Sequence, residues 1–240
     1  MSPTFPSTAP AVTAIEVVED FSASARCDEG FLQLRRLRCQ NLRADGTHSK
    51  VYRVDVVDRP RLDAVAVLIH RQPAGQLQGG AREVLTRMNL RPAAYFRREK
   101  SPVVPDPASY LRVEEIVAGL LEPEDRGEEG VRRRAAAEVW EEAGFRVSPE
   151  EVRLLGAPFF VAPGILSEKV FLAAVDVSGR EGAAPPGDGS PLEEGGELRW
   201  RPLEQLLRAC RDGEVPDAKT ELALTRLLAL EGARATPVVR

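Results

Sequence analysis

The sequence predicts an α/β protein: a mixed sheet sandwiched by helices, preceded by an antiparallel β appendage. Three observations carry that expectation. Strand-like runs fill the first part of the chain. One strongly helical segment, Gly130 to Gly144, follows them. Strand-like and helix-like segments then alternate to the end. The 240 residues are enough to bury a sizeable core, and 43% of them are hydrophobic but only 5% aromatic, so that core must be mostly aliphatic.

The opening residues, 1–15, are rich in Pro, Ser, Thr and Ala and read as a flexible tail. Residues 16–60 form the β appendage. Phe31 to Gln40 and Val51 to Val57 are its strands, and Asp45-Gly46 between them is a favoured hairpin turn pair. The main domain is expected over 61–232, with a short tail at 233–240. Ala64 to His70 is a continuous apolar run, the pattern of a central strand buried on both faces. Arg82 to Leu90 and Leu111 to Gly119 read as further strands, separated by a proline-rich loop from Lys100 to Ser109. Val131, Ala135, Val139 and Ala143 repeat at i, i+4 and give the helix a sheet-facing row, with Gly144 where a left-handed cap belongs. Val152 to Ala162, Glu168 to Val177 and Glu197 to Pro202 read as strands. Pro202 to Ala209 and Ala218 to Leu230 read as helices, and Gly179 to Gly196 as a surface loop.

Charge excludes one class of partner. A formal net charge of -4 and the lack of a basic face argue against nucleic acid. No apolar run approaches a membrane span, and the first residues lack the pattern of a signal peptide. The three cysteines, Cys27, Cys39 and Cys210, form no close pair, which suits a reducing, cytoplasmic setting. His48 and His70 have no partner at a zinc or triad spacing and read as surface or packing residues.

The chemistry is concentrated in Glu138, Glu141 and Glu142. Spacings of three and four residues put all three on one helical face, where like charges repel. A divalent cation would turn that repulsion into attraction. Magnesium takes oxygen ligands, usually one or two carboxylates with phosphate and water, and manganese fits much the same set. A solvated acidic face balanced by Arg132, Arg133 and Arg134 is the plainer reading of the spacing alone.

The surrounding residues favour the metal. Gly119, Glu129 and the run Ala137 to Phe145 resemble the Nudix box: Gly, five residues, Glu, seven residues, then Arg-Glu-U-x-Glu-Glu-x-Gly-U, with U aliphatic or aromatic. Glu138, Val139, Glu141, Glu142, Gly144 and Phe145 match its second half. Two departures stand out. Nine residues, not five, separate Gly119 from Glu129, and Ala137 replaces the box arginine. Arg134, one turn earlier, is placed to substitute for it. Glu115 to Gly119, Asn89 to Tyr95, Ala162 to Ala173 and Asp217 to Leu224 are similar, in that order, to segments of the ADP-ribose and nucleoside-diphosphate-sugar pyrophosphatase branch.

That resemblance implies a Nudix-like α/β/α sandwich and hydrolysis of a nucleoside diphosphate sugar. It makes Glu138 and Glu142 the principal metal ligands, joined by Glu141 and the carbonyl of Ala118. It makes Glu168 the catalytic base or a further ligand, with Glu141 acting directly or through water, and Arg91 the diphosphate-binding cation. ADP-ribose is the expected substrate, with UDP-glucose or another UDP-sugar as the alternative. A non-catalytic nucleotide-sugar sensor is the reading from another class, supported by Ala137. The appendage implies a homodimer built by exchanged β segments.

Overall fold

The computed structural model describes residues 24–73, 81–187, 189–193 and 196–235, together with residues 13, 15–18 and 20. The expected N-terminal tail and the last residues of the C-terminal tail lie almost wholly outside the described residues. The protein is mixed α/β, with a largely antiparallel sheet and helices on both of its faces.

The appendage is a separate two-stranded antiparallel ribbon, β1 (Gln33–Cys39) with β2 (Tyr52–Asp58), in register from Gln33 opposite Asp58 to Cys39 opposite Tyr52. Its connection is wider than a two-residue turn. Asp45 accepts a hydrogen bond from the Thr47 amide at 3.0 Å, Gly46 takes φ +80°, and Leu42 bridges His48. The ribbon meets the main sheet where the Val57 amide donates to the Ile165 carbonyl at 2.7 Å.

The main sheet is built on β3 (Ala64–Arg71), the apolar run expected at the centre. β3 runs parallel to β9 (Lys169–Asp176). Its other edge is shared. Ile69 to Arg71 pair with β4 (Glu83–Leu90), while Ala64 to Val67 pair with β6 (Val117–Leu120). The far half of β4 pairs with β5 (Arg112–Glu115), and β4's outer edge with β10 (Leu198–Pro202). The strand expected over Leu111 to Gly119 is therefore two, crossing from β4 to β3 as they splay. Ile116 marks the break, because its amide donates to Thr220 Oγ1 at 3.0 Å rather than to a strand. The strand expected over Val152 to Ala162 is likewise reduced to β7 (Arg153–Leu154) and β8 (Phe159–Phe160), interrupted where Gly156 takes φ +87°.

Alternation along β3 supplies both cores. Val65, Val67 and Ile69 face α2 (residues Gly127–Ala143 and numbered after a four-residue α1, Pro92–Tyr95), whose Val131, Ala135, Val139 and Ala143 cover them as expected. Ala66 and Leu68 face α3 (Leu203–Arg211) and α4 (Ala218–Ala235). Three helix ends move from their expected places, α3 running on to Arg211. α2 starts at Gly127, where Glu128 and Glu129 suit the positive end of the helix dipole, and α4 continues past Leu230 to Ala235. α2 stops at Gly144 with φ +74°. The Gly144 and Phe145 amides bond the Trp140 and Val139 carbonyls there, the pattern of a left-handed cap.

Candidate active site

The crossover between β5 and β6 places the candidate site on the α2 face. At Gly119 in β6 the sheet has no side chain, and the buried Glu138 carboxylate occupies that space. A Cβ built on Gly119 would lie 1.9 Å from Glu138 Oε1. Small residues at 135, 136 and 143 let α2 approach the sheet this closely, all three being buried.

Glu142 follows one turn along α2, and its carboxylate lies 3.6 Å from Arg87 Nη1. Arg87 is buried, at 6% exposure, and stands on the α2 side of β4 with Leu85. The helix turns by about 40° from Glu138 to Glu142 but by about 60° the other way to Glu141. Glu141 is consequently exposed, while Glu138 and Glu142 face the sheet. The expected trio is thus a pair plus an outlier, and among the described residues no three carboxylate, histidine or cysteine side chains converge into a metal-holding group.

Arg134 stands where the sequence placed it, with Nη1 3.9 Å from Glu138 and Nε 2.9 Å from Asp125 Oδ2. The Asp125 side chain is only 4% exposed and also receives the Glu122 amide at 3.0 Å. Burial alone would raise its pKa, but the Arg134 hydrogen bond and the Glu122 amide outweigh that and hold it below the usual carboxylate range. Burial likewise opposes the charge on Arg134, and Asp125 more than compensates, raising its pKa. Glu129, the glutamate matched in the sequence, is exposed in the first turn of α2.

Arg91 is half-exposed at the end of β4 and grips Glu115 with Nε at 2.7 Å and Nη2 at 2.6 Å. Glu115 is buried and also accepts from Asn89 Nδ2 and Lys219 Nζ, each at 3.0 Å. Lys219 in turn lies 2.6 Å from Asp217, whose other oxygen caps α4 through the Thr220 amide at 3.0 Å. Burial disfavours the Lys219 charge, but Glu115 and Asp217 outweigh it and raise its pKa. Ala118 sits beside Gly119, its side chain turned to the opposite core. Glu168 lies just before β9 and is paired with Arg59 at 2.6 Å.

A cavity of about 990 Å³ adjoins Glu142 and Arg87. Leu85, Leu198 and Trp200 line it on the sheet side, with Phe145, Arg87 and Glu142 beside them. Of the site residues named from the sequence, only Glu142 lines it. Trp200 is partly buried, with Phe145 edge-on at 6.0 Å and the Arg71 guanidinium 3.9 Å from its ring centre.

Arg87, Asp125, Lys219 and Arg59 were not singled out in the sequence. Two of them carried a signal. Asp125 is six residues after Gly119, the interval the box pattern assigns to its first acidic residue, and Lys219 lies inside the Asp217 to Leu224 segment. Arg87, within a strand, and Arg59, just after one, resemble any strand arginine until the strands are paired. Compared with protein-family models and with curated proteins, the chain has no match.

Proposed function

We propose that the protein is a metal-dependent Nudix hydrolase of the ADP-ribose and nucleoside-diphosphate-sugar pyrophosphatase branch, with an α/β/α sandwich fold. The observation that carries this reading is the seating of Glu138 against Gly119, with Glu142 one turn on and facing Arg87. The donor chemistry fits magnesium or manganese. Two hard carboxylates lie one helical turn apart, and Gly119 leaves room for one of them against the backbone. Glu138 and Glu142 would hold the metal, with the Ala118 carbonyl as a further oxygen ligand and Glu141 acting through water. A bound divalent cation supplies charge neutralisation on the diphosphate and acidifies water.

The chain's own residues do the rest. Arg91, fixed by Glu115 but half-exposed, offers its remaining guanidinium face to a diphosphate oxygen. Glu168 accepts the proton of the attacking water. Arg134 orients Glu138 in the role the box gives its arginine. With Asp125 as the box's first acid, the four-residue insertion falls inside α2. It adds about one turn; counted from Asp125 the box arginine falls at Arg133, directly beside Arg134. The products are a nucleoside monophosphate and a sugar phosphate, with ADP-ribose favoured over UDP-glucose.

One observation favours the sensor instead. Glu138, Glu142 and Glu168 each face an arginine, at 3.9, 3.6 and 2.6 Å. Such pairs hold carboxylates without metal. A panel of ADP-ribose, UDP-glucose, GDP-mannose, diadenosine polyphosphates and NADH, with magnesium and with EDTA, separates the two. Magnesium-dependent release of monophosphate is expected. Binding without release, or release that EDTA leaves intact, would refute hydrolysis by this site.

We also propose a homodimer formed through the ribbon. An isolated two-stranded sheet is marginal in water, and this one exposes Phe31, Leu32, Leu42, Val51 and Tyr52 at its ends. Light scattering is expected to give twice the 26.3 kDa chain mass. No helix among the described residues is long and apolar enough to cross a membrane. The three free cysteines suit the cytoplasm.

A further inference from the structure

The ribbon and the main sheet are joined by a largely buried ion pair. Arg59 Nη2 lies 2.6 Å from Glu168 Oε1, with the two side chains only 11% and 16% exposed. Arg59 follows directly after β2, and Glu168 lies directly before β9. The same Arg59 nitrogen donates to the Leu62 carbonyl at 3.2 Å. Among the described residues Arg59 Nε is buried with no hydrogen-bond partner, and Glu168 and Leu62 supply the polar contacts that place this guanidinium. The Phe31 ring, just before β1, stacks over it at 5.6 Å. The backbone repeats the connection. Val57 of β2 bridges Leu166 and donates to the Ile165 carbonyl at 2.7 Å, within the loop that leads to Glu168.

From this arrangement we infer that Arg59 is a positioning residue for Glu168, and that the ribbon thereby belongs to the hydrolytic machinery rather than to assembly alone. The inference rests on the hydrolase reading above. A carboxylate that moves a proton must be held at a fixed point, and a largely buried guanidinium 2.6 Å away restricts both its rotamer and its backbone. Arg59 holds the carboxylate oxygen Oε1, which leaves Oε2 to take the proton. Anything that shifts the ribbon, such as a second copy seated on it, then shifts Glu168 through Arg59 and through the Val57 bridge.

The test uses the full chain with Arg59→Gln, Arg59→Lys, Glu168→Gln and the Arg59→Gln/Glu168→Gln double variant. Arg59→Gln is expected to lower kcat about 10- to 100-fold with KM nearly unchanged. Arg59→Lys keeps the cation and is expected to recover part of that loss. In the Glu168→Gln background, Arg59→Gln is expected to cost little more, because the two residues act as a unit. Amide exchange of the metal-free protein supplies a readout independent of turnover. Arg59→Gln should accelerate exchange over residues 162–169 while β3 stays protected. Unchanged kcat, a loss confined to KM, an equal loss in the Glu168→Gln background, or unchanged exchange would each overturn the inference. A wild-type chain inactive on the whole panel would instead refute the hydrolase reading and the catalytic part of this inference, and the exchange comparison would then decide whether Arg59 holds the loop.

Discussion

The two helical layers cover the same sheet with different materials. On one side, α3 and α4 bury Leu203, Leu206, Leu207, Leu224 and Leu227. On the other, α2 buries Val131, Val139, three alanines and the charged Glu138. A leucine buried from water contributes roughly 1.5–3 kcal/mol, and an alanine much less. The α2 layer therefore gives up apolar burial for close approach and for a carboxylate against the strands. Stability should reside in the α3/α4 layer and chemistry in the α2 layer.

The sharpest way to break that comparison is Glu142→Gln. On the proposed function it should lower magnesium-dependent turnover on the order of a thousandfold, with the thermal midpoint within a few degrees of wild type. Near-normal turnover would remove the chemistry from α2. The complementary change is Leu224→Ala, fully buried between α4 and the sheet. It should cost about 2–5 kcal/mol in denaturant unfolding and leave the turnover of the folded fraction unchanged.

The α3/α4 side holds its own titratable group. His70 is buried at the end of β3, with Nδ1 4.0 Å from Asp176. Burial, helped by Arg82, lowers its pKa to about 4 from an ordinary 6.5. The unfolded chain takes up that proton first as pH falls. The stabilisation is thus complete above about pH 6.5 and is lost progressively towards pH 4, up to about 3 kcal/mol in all. Replacing His70 with Asn should flatten the dependence of unfolding free energy on pH across that window. An unchanged slope would show that other groups set it.

Smaller effects divide the α2 layer itself. Gly119→Ala puts a methyl where the Glu138 carboxylate now sits. The carboxylate is the free end of a side chain and can swing away, so turnover should fall about tenfold or more while stability changes little. A large drop in thermal midpoint would mean that Glu138 is structural. Arg134→Ala should lower kcat about tenfold and Arg132→Ala much less, since Arg134 reaches Glu138 and Asp125 whereas Arg132 reaches the Val152 carbonyl. Equal effects would rule out Arg134 as the orienting arginine.

Much of the scaffold was legible because it is local. The apolar run at Ala64 to His70, the i, i+4 row of α2 and the glycine at 144 all state their structure within a few residues. The split at Ile116 was not legible, because its cause is Thr220, more than a hundred residues away. The division of the glutamates was half-legible. Helical spacing brings Glu138, Glu141 and Glu142 near one another, but only the position of the sheet decides which of them is buried. Glu129 and Asp125 divide in the same way: Glu129 satisfies a spacing counted back from the helix and is exposed, while Asp125 satisfies the spacing counted forward from Gly119 and pairs with Arg134.

Period and turn chemistry act over a few residues, and they suffice to set the mixed α/β character, the α2 helix with its carboxylates and left-handed cap, and the apolar central strand. Which charges meet is settled by the packing of distant segments. Arg87 reaches Glu142, Lys219 shares Glu115 with Arg91, and Arg59 holds Glu168 across 109 positions of chain. Such pairs depend on strand order and on the splay of β3 from β4, and burial strengthens them by removing water from between the charges. Neither strand order nor burial is a property of a short stretch of sequence.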